Sequence, residues 1–468
     1  MQKKCRNSSR VENLSDMEKG WSLTQAVNEA SRCHLCHDAP CTKACPAGTN
    51  PAEFIRKLRL RNVKGAIRTI KQNNILGGIC AVVCPTEQLC QKGCVAAGLD
   101  RAIDIGQIQR FLVEHGWTSG FNPMEKVSGK KGKVAVIGSG PAGLACAAEV
   151  ASHGYQAEIF EGMEKPGGVL RYGVPSFRLN AEFLDREIKD VQNLGVKISC
   201  GKKIGDAGVE KLLEKGYEAV FYAPGAWKPV EIKIPGIELK NVYTARDFLA
   251  GVRTGEQKAL ARLVKGKNVA VYGGGSVAMD AATTAMALGA NRVYLLYRRS
   301  FREMPASDHD VQMAMANNVC FRTMSVVTRL TGNEKGCVTG LDGLETDWKK
   351  PGDTSAANLI TQSGTDFHLN IDLFISALGY RPETETRKAC AKVKFNNRGL
   401  VETRKDGVST SHPRIFSGGD IVRGPALVVE AVADGKAAGK KIVEMLDSEK
   451  GMVKAPAKKP AKSKKAVK

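Results

Sequence analysis

Long apolar runs are missing from this sequence of 468 residues. No stretch approaches the roughly 20 apolar residues that a membrane-spanning helix needs. The first residues, Met1-Gln-Lys-Lys-Cys-Arg, are polar and lack the apolar core of a signal peptide. We therefore expect a cytoplasmic protein that has no contact with a membrane.

Acidic residues are scarce towards the C-terminus. The formal net charge is +22, and the stretch from Lys454 to Lys468 contains seven lysines and no acid. A segment of this composition cannot bury enough apolar surface to fold alone, so we expect a disordered tail over 451–468. Such a tail could touch nucleic acid or an acidic partner. A solvated tail is the commoner case, so we expect no nucleic-acid partner.

A glycine-rich turn lies between a predicted strand and a predicted helix at Val134 to Gly143. The glycines let the backbone approach a pyrophosphate at the positive end of the helix dipole. The next predicted strand ends in Glu161, where a carboxylate can accept a hydrogen bond from a ribose hydroxyl. We predict a flavin-type dinucleotide site that includes Gly138, Ser139, Gly140, Pro141, Ala142, Gly143 and Glu161.

A redox-active cysteine pair is missing beside this site. Disulfide reductases of similar architecture would carry one after Gly167 and Gly168, but here Val-Leu-Arg-Tyr follows. Thiol–disulfide chemistry is therefore disfavoured. Five cysteines stand singly after residue 131, and we predict that they are buried small apolar residues: Cys146, Cys200, Cys320, Cys337 and Cys390.

A second strand, glycine turn and helix of small residues begin at Asn268. The following strand ends in Arg298 and Arg299, where an NAD-type fold would carry an acid. Arginine at this place accommodates a 2′-phosphate, so we predict an NADPH site, with NADH possible. The alternative is a basic strand end that only faces solvent. The predicted nucleotide-binding residues are Gly274, Gly275, Ser276, Val277, Arg298 and Arg299.

Eight of the fourteen cysteines fall between residues 33 and 94. They form two groups, each with a Cys-Pro, separated by a spacer with helical periodicity. In bacterial ferredoxins the Cys-Pro cysteine ligates the other of two clusters, so the pattern predicts two [4Fe–4S] clusters with crossed ligation. Structural zinc in two Cys₄ sites is the alternative. The cysteines concerned are Cys33, Cys36, Cys41, Cys45, Cys80, Cys84, Cys90 and Cys94.

The later chain predicts a return to the first dinucleotide domain. A strand from Arg414 ends at Gly419 and Asp420, an acid that can bind the ribityl chain of a flavin, and a helix follows from Leu427. We predict an α/β fold with two Rossmann-like, glutathione-reductase-like domains after an α-helical iron–sulfur domain. The predicted division is an N-terminal extension (1–30), the iron–sulfur domain (31–125), the flavin domain (131–245 and 375–450), an inserted NADPH domain (246–374) and the tail (451–468).

These features together resemble the flavoprotein family that includes the glutamate synthase small subunit. The chain is more similar to the NAD(P)-dependent dihydropyrimidine dehydrogenase flavoprotein subunits, over about residues 22 to 448. The specific parts are the segment from Cys80 to Cys94 and Ile103-Asp-Ile-Gly-Gln-Ile-Gln109. The resemblance implies FAD, NAD(P)H and two [4Fe–4S] clusters.

The resemblance also implies a ligand set. One cluster would take Cys33, Cys36, Cys41 and Cys94, and the other Cys45, Cys84, Cys90 and Gln109, which leaves Cys80 free. Further positions that match the family's cofactor contacts are Gly168, Arg178 and Asp420 for the flavin and Arg302 for the nucleotide. No catalytic side chain is implied, because the cofactors carry the hydride transfer.

The implied function is electron transfer from NADPH to a partner subunit that contains FMN and iron–sulfur clusters and reduces uracil or thymine. We expect a hetero-oligomer, because the family's single-chain enzyme continues into an FMN barrel that this sequence lacks. Two alternatives remain. One is a small subunit that serves another acceptor, such as glutamate synthase or a ferredoxin, and the other is a zinc-stabilised protein that binds nucleic acid.

Overall fold

The computed structural model describes residues 11, 14, 17, 19–127, 131–350 and 352–451. The predicted lysine-rich tail lies outside the described residues, except for Gly451. A helical unit comes first along the chain, and two dinucleotide folds follow, the second inserted into the first. The predicted order of a helical unit before two dinucleotide folds is confirmed. Among the described residues, no helix is both long enough and apolar enough to cross a membrane.

The first unit is helical. Side-chain caps from Ser22, Asn50, Asn62 and Asp104 set the starts of its main helices, because each accepts a hydrogen bond from an otherwise free backbone N–H. Since the first helix packs on the third and the sixth, the unit begins earlier than the predicted residue 31. Its helices are α1 (Leu23–Ser31), α2 (Pro40–Lys43), α3 (Pro51–Arg59), α4 (Val63–Asn73), α5 (Gly77–Val83) and α6 (Ile105–Thr118).

The second unit, here called the flavin unit, is a parallel sheet with helices on its faces. Its first segment contains β1 (Lys133–Ile137), α7 (Pro141–Ser152), β2 (Gln156–Phe160), α8 (Val169–Tyr172), α9 (Ala181–Asn193), β3 (Lys197–Ser199), α10 (Gly208–Glu214), β4 (Ala219–Tyr222) and the short β5 (Lys228–Pro229). The central strands are almost wholly apolar because both faces of the sheet are covered.

The third unit, here called the nucleotide unit, joins a second parallel sheet to a small antiparallel sheet. Its elements are β6 (Val242–Thr244), α11 (Ala245–Thr254), α12 (Gln257–Val264), β7 (Asn268–Tyr272), α13 (Ser276–Ala287), β8 (Arg292–Leu296), α14 (Asp308–Ala316), β9 (Cys320–Arg322), β10 (Ser325–Gly332), β11 (Val338–Trp348), β12 (Leu359–Thr361), β13 (Phe367–Asn370) and β14 (Leu373–Ser376). The parallel sheet has the order β6-β14-β7-β8-β9.

The chain then returns to the flavin unit through β15 (Tyr380–Arg381), α15 (Thr384–Ala389), β16 (Ile415–Ser417), α16 (Asp420–Arg423) and α17 (Val428–Glu449). The flavin sheet therefore has the order β16-β4-β1-β2-β3. Strand β5 lies on the connection into the nucleotide unit and β15 on the connection out of it, and the two strands pair with each other. Because β6 and β14 both lie in the nucleotide sheet, that unit extends beyond the predicted limits of 246 and 374 at both ends.

Helix α17 crosses α7 at very short distance, and two glycines permit the approach. A Cβ on Gly435 would overlap the carbonyl oxygen of Ala142, and one on Gly439 would lie 2.7 Å from the Cβ of Glu149. This packing holds α17 beside the first glycine turn. Any larger residue at Gly435 would force the two helices apart.

The helical unit shares a core with the flavin unit. Ile75, Leu76 and Ile79, on and just before α5, are buried among apolar residues of α9 and α17. The same interface contains charge: Lys71 forms ion pairs with Glu187 and, at 2.6 Å, with Asp190. The units therefore pack directly against each other.

The single cysteines differ partly from the prediction. Cys146 and Cys390 are buried, as expected for small apolar residues. Cys200 and Cys337 are only partly buried, and Cys320 is exposed because it begins β9, the edge strand of the nucleotide sheet. The prediction that all five are buried is therefore wrong for these three.

Candidate cofactor sites

The first glycine turn connects β1 to α7, as predicted. Gly138 has a φ of +93°, and a Cβ on Gly143 would overlap the carbonyl oxygen of Gly138. Gly140 differs, because a Cβ built there would meet nothing within 4 Å. Its open side lies at the N-terminus of α7, where Pro141 begins the helix. Such a turn can receive a phosphate group against free backbone N–H groups.

Glu161 and Ser139 lie beside this turn and are joined. The Glu161 carboxylate accepts hydrogen bonds from the Ser139 N–H at 2.9 Å, from the Ser139 hydroxyl, and from the Met163 N–H at 2.8 Å. The Ser139 hydroxyl also accepts from the Gly167 N–H, and a Cβ on Gly168 would lie 2.9 Å from the Cα of Gly140. Gly167 and Gly168 therefore lie directly against the first glycine turn.

Gly419 and Asp420 approach the same turn from the returning chain. Gly419 has a φ of +73°, and its N–H donates to Asp434 at 2.9 Å. Asp434, on α17, is itself held by two hydrogen bonds from Arg423 at 2.5 and 2.7 Å. Burial raises the pKa of Asp420 to about 6. A backbone hydrogen bond from Ala426 opposes this rise, and a hydroxyl-bearing ligand could donate a further hydrogen bond to the carboxylate.

Arg178 takes a position that its sequence context did not suggest. The residue belongs to the flavin unit, but its guanidinium pairs with Asp280 and Asp310 of the nucleotide unit, each at 2.5 Å. Burial raises the pKa of Asp280 to about 6, although Arg178 opposes the rise. Its contact with a flavin stays a prediction, while its contact across the two units is direct.

The second glycine turn, between β7 and α13, is equally crowded. Gly273 has a φ of +152°, and a Cβ on Gly274 would lie 2.5 Å from the ring of Tyr297. Gly275 is the open position, since nothing lies within 4 Å of its built Cβ. Ser276 and Val277 begin α13, and the Ser276 side chain hydrogen-bonds to Asp310. The open glycine again lies at a helix N-terminus.

The predicted arginines follow β8 at the edge of this turn. Arg298 and Arg302 are exposed, whereas Arg299 is half-buried and contacts the Tyr297 hydroxyl. Among the described residues, Nε of Arg299 is buried without a hydrogen-bond partner. Arg298 and Arg299 therefore bring positive charge to Tyr297, which covers the turn, and Arg299 retains a donor that a ligand could satisfy.

The clustered cysteines divide into two sets. Burial raises the pKa of Cys41 to about 11, and the charges of Cys94 and Cys33 add to the rise. Burial also raises the pKa of Cys33, with further contributions from Cys94 and Cys36. Cys33, Cys36, Cys41 and Cys94 therefore lie close enough to influence one another. Their ligation of one cluster stays a prediction from the resemblance.

The second set contains Cys45, Cys80, Cys84 and Cys90. A hydrogen bond with Cys80 and burial raise the pKa of Cys84, and the charges of Cys80, Cys90 and Cys45 act in the same direction. Burial raises the pKa of Cys90 to about 12, with contributions from Cys45 and from Cys41 of the first set. The two sets are therefore neighbours.

Two side chains, Gln109 and Cys80, are candidates for the fourth ligand of the second set. Gln109 is buried on α6, and its amide donates to the Gly77 carbonyl at 2.5 Å, at the start of the helix that carries Cys80. Cys80 is buried among the other thiols. Gln109 as ligand stays a prediction from the resemblance.

Backbone and side-chain donors already point at these sulfurs. The Ile103 N–H donates to Sγ of Cys94 at 3.4 Å, and the Thr49 N–H donates to Sγ of Cys45 at 3.5 Å. Hydrogen bonds to ligand sulfurs are a normal part of iron–sulfur sites. Among the described residues, no three His, Cys, Asp or Glu side chains already form a compact site for one metal ion. The thiols present are the type of ligand that iron–sulfur clusters take.

Comparison with known proteins agrees with this geometry. Residues 10–121 match the family model "Dihydroprymidine dehydrogenase domain II, 4Fe-4S cluster", and residues 132–435 match "Pyridine nucleotide-disulphide oxidoreductase". The chain is thus an NAD(P)H oxidoreductase of the iron–sulfur flavoprotein class. It belongs to the family of dihydropyrimidine dehydrogenase flavoprotein subunits.

Two relatives illustrate the family. The NAD-dependent dihydropyrimidine dehydrogenase subunit PreT of Salmonella typhimurium is 36% identical over 93% of this chain and 97% of its own length. The glutamate synthase [NADPH] small chain of Escherichia coli is 31% identical over 91% of this chain and 93% of its own length. The predicted resemblance is confirmed, and the names of these relatives include both coenzymes.

A solved structure supports the fold alone. FprA from Mycobacterium tuberculosis, in complex with NADPH, matches 70% of this chain and 87% of its own with a TM-score of 0.57, at 16% identity. The predicted fold class is confirmed by this match and by the two family models.

The sequence pattern missed several residues that the structure brings to these sites. Asp434 and Arg423 fix Gly419, Tyr297 covers the second turn, and Thr49 donates to Cys45. None belongs to a recognisable motif. Only the four-residue spacing of Gly435 and Gly439, a known mark of close helix packing, could have indicated where α17 lies.

Proposed function

We propose that this chain is the NADPH-oxidising electron-transfer subunit of a dihydropyrimidine dehydrogenase, with FAD and two [4Fe–4S] clusters as its cofactors. Its partner in this proposal is a subunit with FMN and iron–sulfur clusters that reduces uracil or thymine. The observation that carries the proposal is the packing of α5, which bears Cys80 and ends at Cys84, against α9 and α17 of the flavin unit.

The residues of the chain have binding and positioning roles in this function. The turn at Gly138 to Gly143 would hold the pyrophosphate of FAD, and Glu161 and Asp420 would accept hydrogen bonds from its hydroxyl groups. A flavin supplies the conversion between uptake of a hydride and release of single electrons. The ion pairs of Lys71 with Glu187 and Asp190 hold the helical unit, which carries the thiol sets, against the flavin unit.

The nucleotide unit would present NADPH to the flavin unit. Gly275 leaves space for the pyrophosphate at the start of α13, and Arg298 and Arg299 would pair with the 2′-phosphate. The pairing of Arg178 with Asp280 and Asp310 fixes α13 and α14 relative to the flavin unit. No side chain needs to act as an acid or base in this arrangement.

The test of the function is reconstitution. The purified chain, prepared anaerobically, should reduce artificial dyes with NADPH but should not reduce uracil or thymine. Addition of the FMN subunit of a dihydropyrimidine dehydrogenase should produce that activity. Steady uracil reduction by this chain alone would contradict the proposal, and stimulation only by a large amidotransferase subunit would favour a role in glutamate synthase.

The flavin site has a separate test with a matched control. Gly140→Val should leave the fold intact, because a Cβ at this position meets no protein atom within 4 Å, but the side chain should fill the space for the pyrophosphate. The variant should therefore retain little FAD. Gly205→Val, whose Cβ also meets nothing within 4 Å but which is not among the predicted flavin-binding residues, should retain FAD at the level of the unmodified protein. Equal FAD content in both variants would contradict the placement of the site.

A further inference from the structure

Lys436 reaches from the flavin unit into the helical unit, and no motif accounts for it. We propose that Lys436 positions the second thiol set against the flavin unit and raises the reduction potential of the iron–sulfur cluster held there. This inference rests on the proposed function, because it requires a cluster at Cys45, Cys84 and Cys90.

The contacts of Lys436 are made across the interface. It lies on α17, and Nζ donates hydrogen bonds to the carbonyl of Ala47, at 2.5 Å, and to the carbonyl of Asn73. Both acceptors belong to the helical unit. An ammonium that is half-buried between two carbonyls is held at a fixed place, unlike a lysine that extends into solvent.

Both carbonyls belong to the framework of the second thiol set. Ala47 follows Cys45 by two residues, in the loop where the Thr49 N–H donates to Sγ of Cys45. Asn73 precedes Asn74, whose amide donates to Sγ of Cys80 at 3.3 Å and to the Thr49 hydroxyl at 3.2 Å. Thr49 and Asn74 are almost completely buried. Lys436 therefore joins the two backbone segments that donate to these sulfurs.

The charge of Lys436 also acts on the thiol set. Burial and neighbouring Lys440 lower the pKa of Lys436, while the charges of Glu149, Cys45 and Cys80 favour its protonated form. The side chain is thus close enough to the sulfurs for an electrostatic effect. A cluster becomes more negative when it gains an electron, so a fixed positive charge nearby stabilises the reduced form.

The position of Lys436 on α17 places its charge between the predicted flavin site and the second thiol set. The preceding residue, Gly435, packs against the carbonyl of Ala142 in the first glycine turn. The same helical turn therefore touches the predicted flavin site through Gly435 and the thiol set through Lys436. A positive charge at this place would favour movement of an electron from the flavin side towards the second set.

The experiment compares four variants with the unmodified protein by redox titration under anaerobic conditions, with the cluster signal followed by electron paramagnetic resonance. Lys436→Met should shift the one-electron equilibrium of one cluster at least tenfold towards the oxidised form, which is about 59 mV in potential. Lys436→Gln keeps hydrogen-bond donors but loses the charge, so it should show a similar shift. Lys436→Arg should remain near the unmodified value.

Lys440→Met is the matched control, because Lys440 is an exposed lysine one turn later on α17. It should leave both potentials unchanged. Equal shifts in Lys436→Met and Lys440→Met, or no shift in either Lys436→Gln or Lys436→Met, would overturn the inference. Iron is measured first in the unmodified protein, so that absence of cluster iron identifies a failure of the proposed function itself.

Discussion

The buried ion cluster between the helical and flavin units offers a sharp test of how they are joined. Lys71 is only 4% exposed and lies between Glu187, which is fully buried, and Asp190. Lys71→Met would leave both carboxylates without their cation. Removal of one partner from a buried ion pair costs about 3–5 kcal/mol, because the remaining charge stays uncompensated in a poorly polar environment.

The expected loss can be measured by urea unfolding followed by tryptophan fluorescence. Trp117 donates to Asp190 at 3.0 Å and packs edge-on against Phe183 at 4.9 Å, so its emission should respond to separation of the units. With a slope of about 2–3 kcal/mol/M, the midpoint should fall by roughly 1–2.5 M. Lys71→Met/Glu187→Met should recover part of the loss, since one unpaired charge is removed as well.

Lys189→Met serves as the control, because Lys189 is exposed on the same helix as Glu187. It should change the free energy of unfolding by no more than about 0.5 kcal/mol. If Lys71→Met unfolded at the midpoint of the unmodified protein, the buried cluster would not be what joins the two units.

Three further predictions concern the cofactor sites. Arg298→Ala or Arg299→Ala should raise the KM for NADPH at least tenfold and leave the KM for NADH nearly unchanged, since hydrogen bonds to charged groups contribute about 1.5–3 kcal/mol. Equal efficiency of the two coenzymes with the unmodified protein would place these arginines outside the site. One cluster should be lost in each of the variants Cys36→Ser, Cys84→Ser and Gln109→Ala, whereas Cys80→Ser should keep both clusters. Iron loss in Cys80→Ser but not in Gln109→Ala would make Cys80 the fourth ligand of the second set. Because burial raises the pKa of Asp420 to about 6, the folded flavin-free protein retains a proton that the unfolded chain releases near pH 4. The stability that this proton contributes is present at low pH and is lost as pH rises to about 6, so the Tm of the unmodified protein relative to Asp420→Asn should fall over that range and then level off; a constant difference would contradict the buried position of Asp420.

Local sequence patterns predicted most of the fold, because each of the two glycine turns is formed by consecutive residues. The grouping of Cys94 with Cys33 came from the family resemblance alone, whereas the strand, glycines and helix at Val134 and at Asn268 lie where the sequence predicts them. The two glycine turns depend on backbone geometry within short segments, so a single sequence is enough to predict them.

Contacts between distant segments could not be predicted in the same way. Arg178 meets Asp280 and Asp310, more than 100 residues away along the chain. Lys436 reaches Ala47 from the other end of the protein. Such pairs depend on how three units pack, and a single charged residue carries no local sign that it will be buried. The limits of the nucleotide unit shifted for the same reason, because β6 and β14 are short and pair only in the assembled sheet.

The central claim is that one chain carries a flavin and two four-iron clusters that accept electrons from NADPH. Anaerobic dithionite titration of the reconstituted protein, followed by visible absorbance, counts the electrons that each chain accepts. The account predicts about four electrons per chain, two for the flavin and one for each cluster, together with about eight iron atoms. Uptake of only two electrons by a protein that contains zinc in place of iron would contradict it.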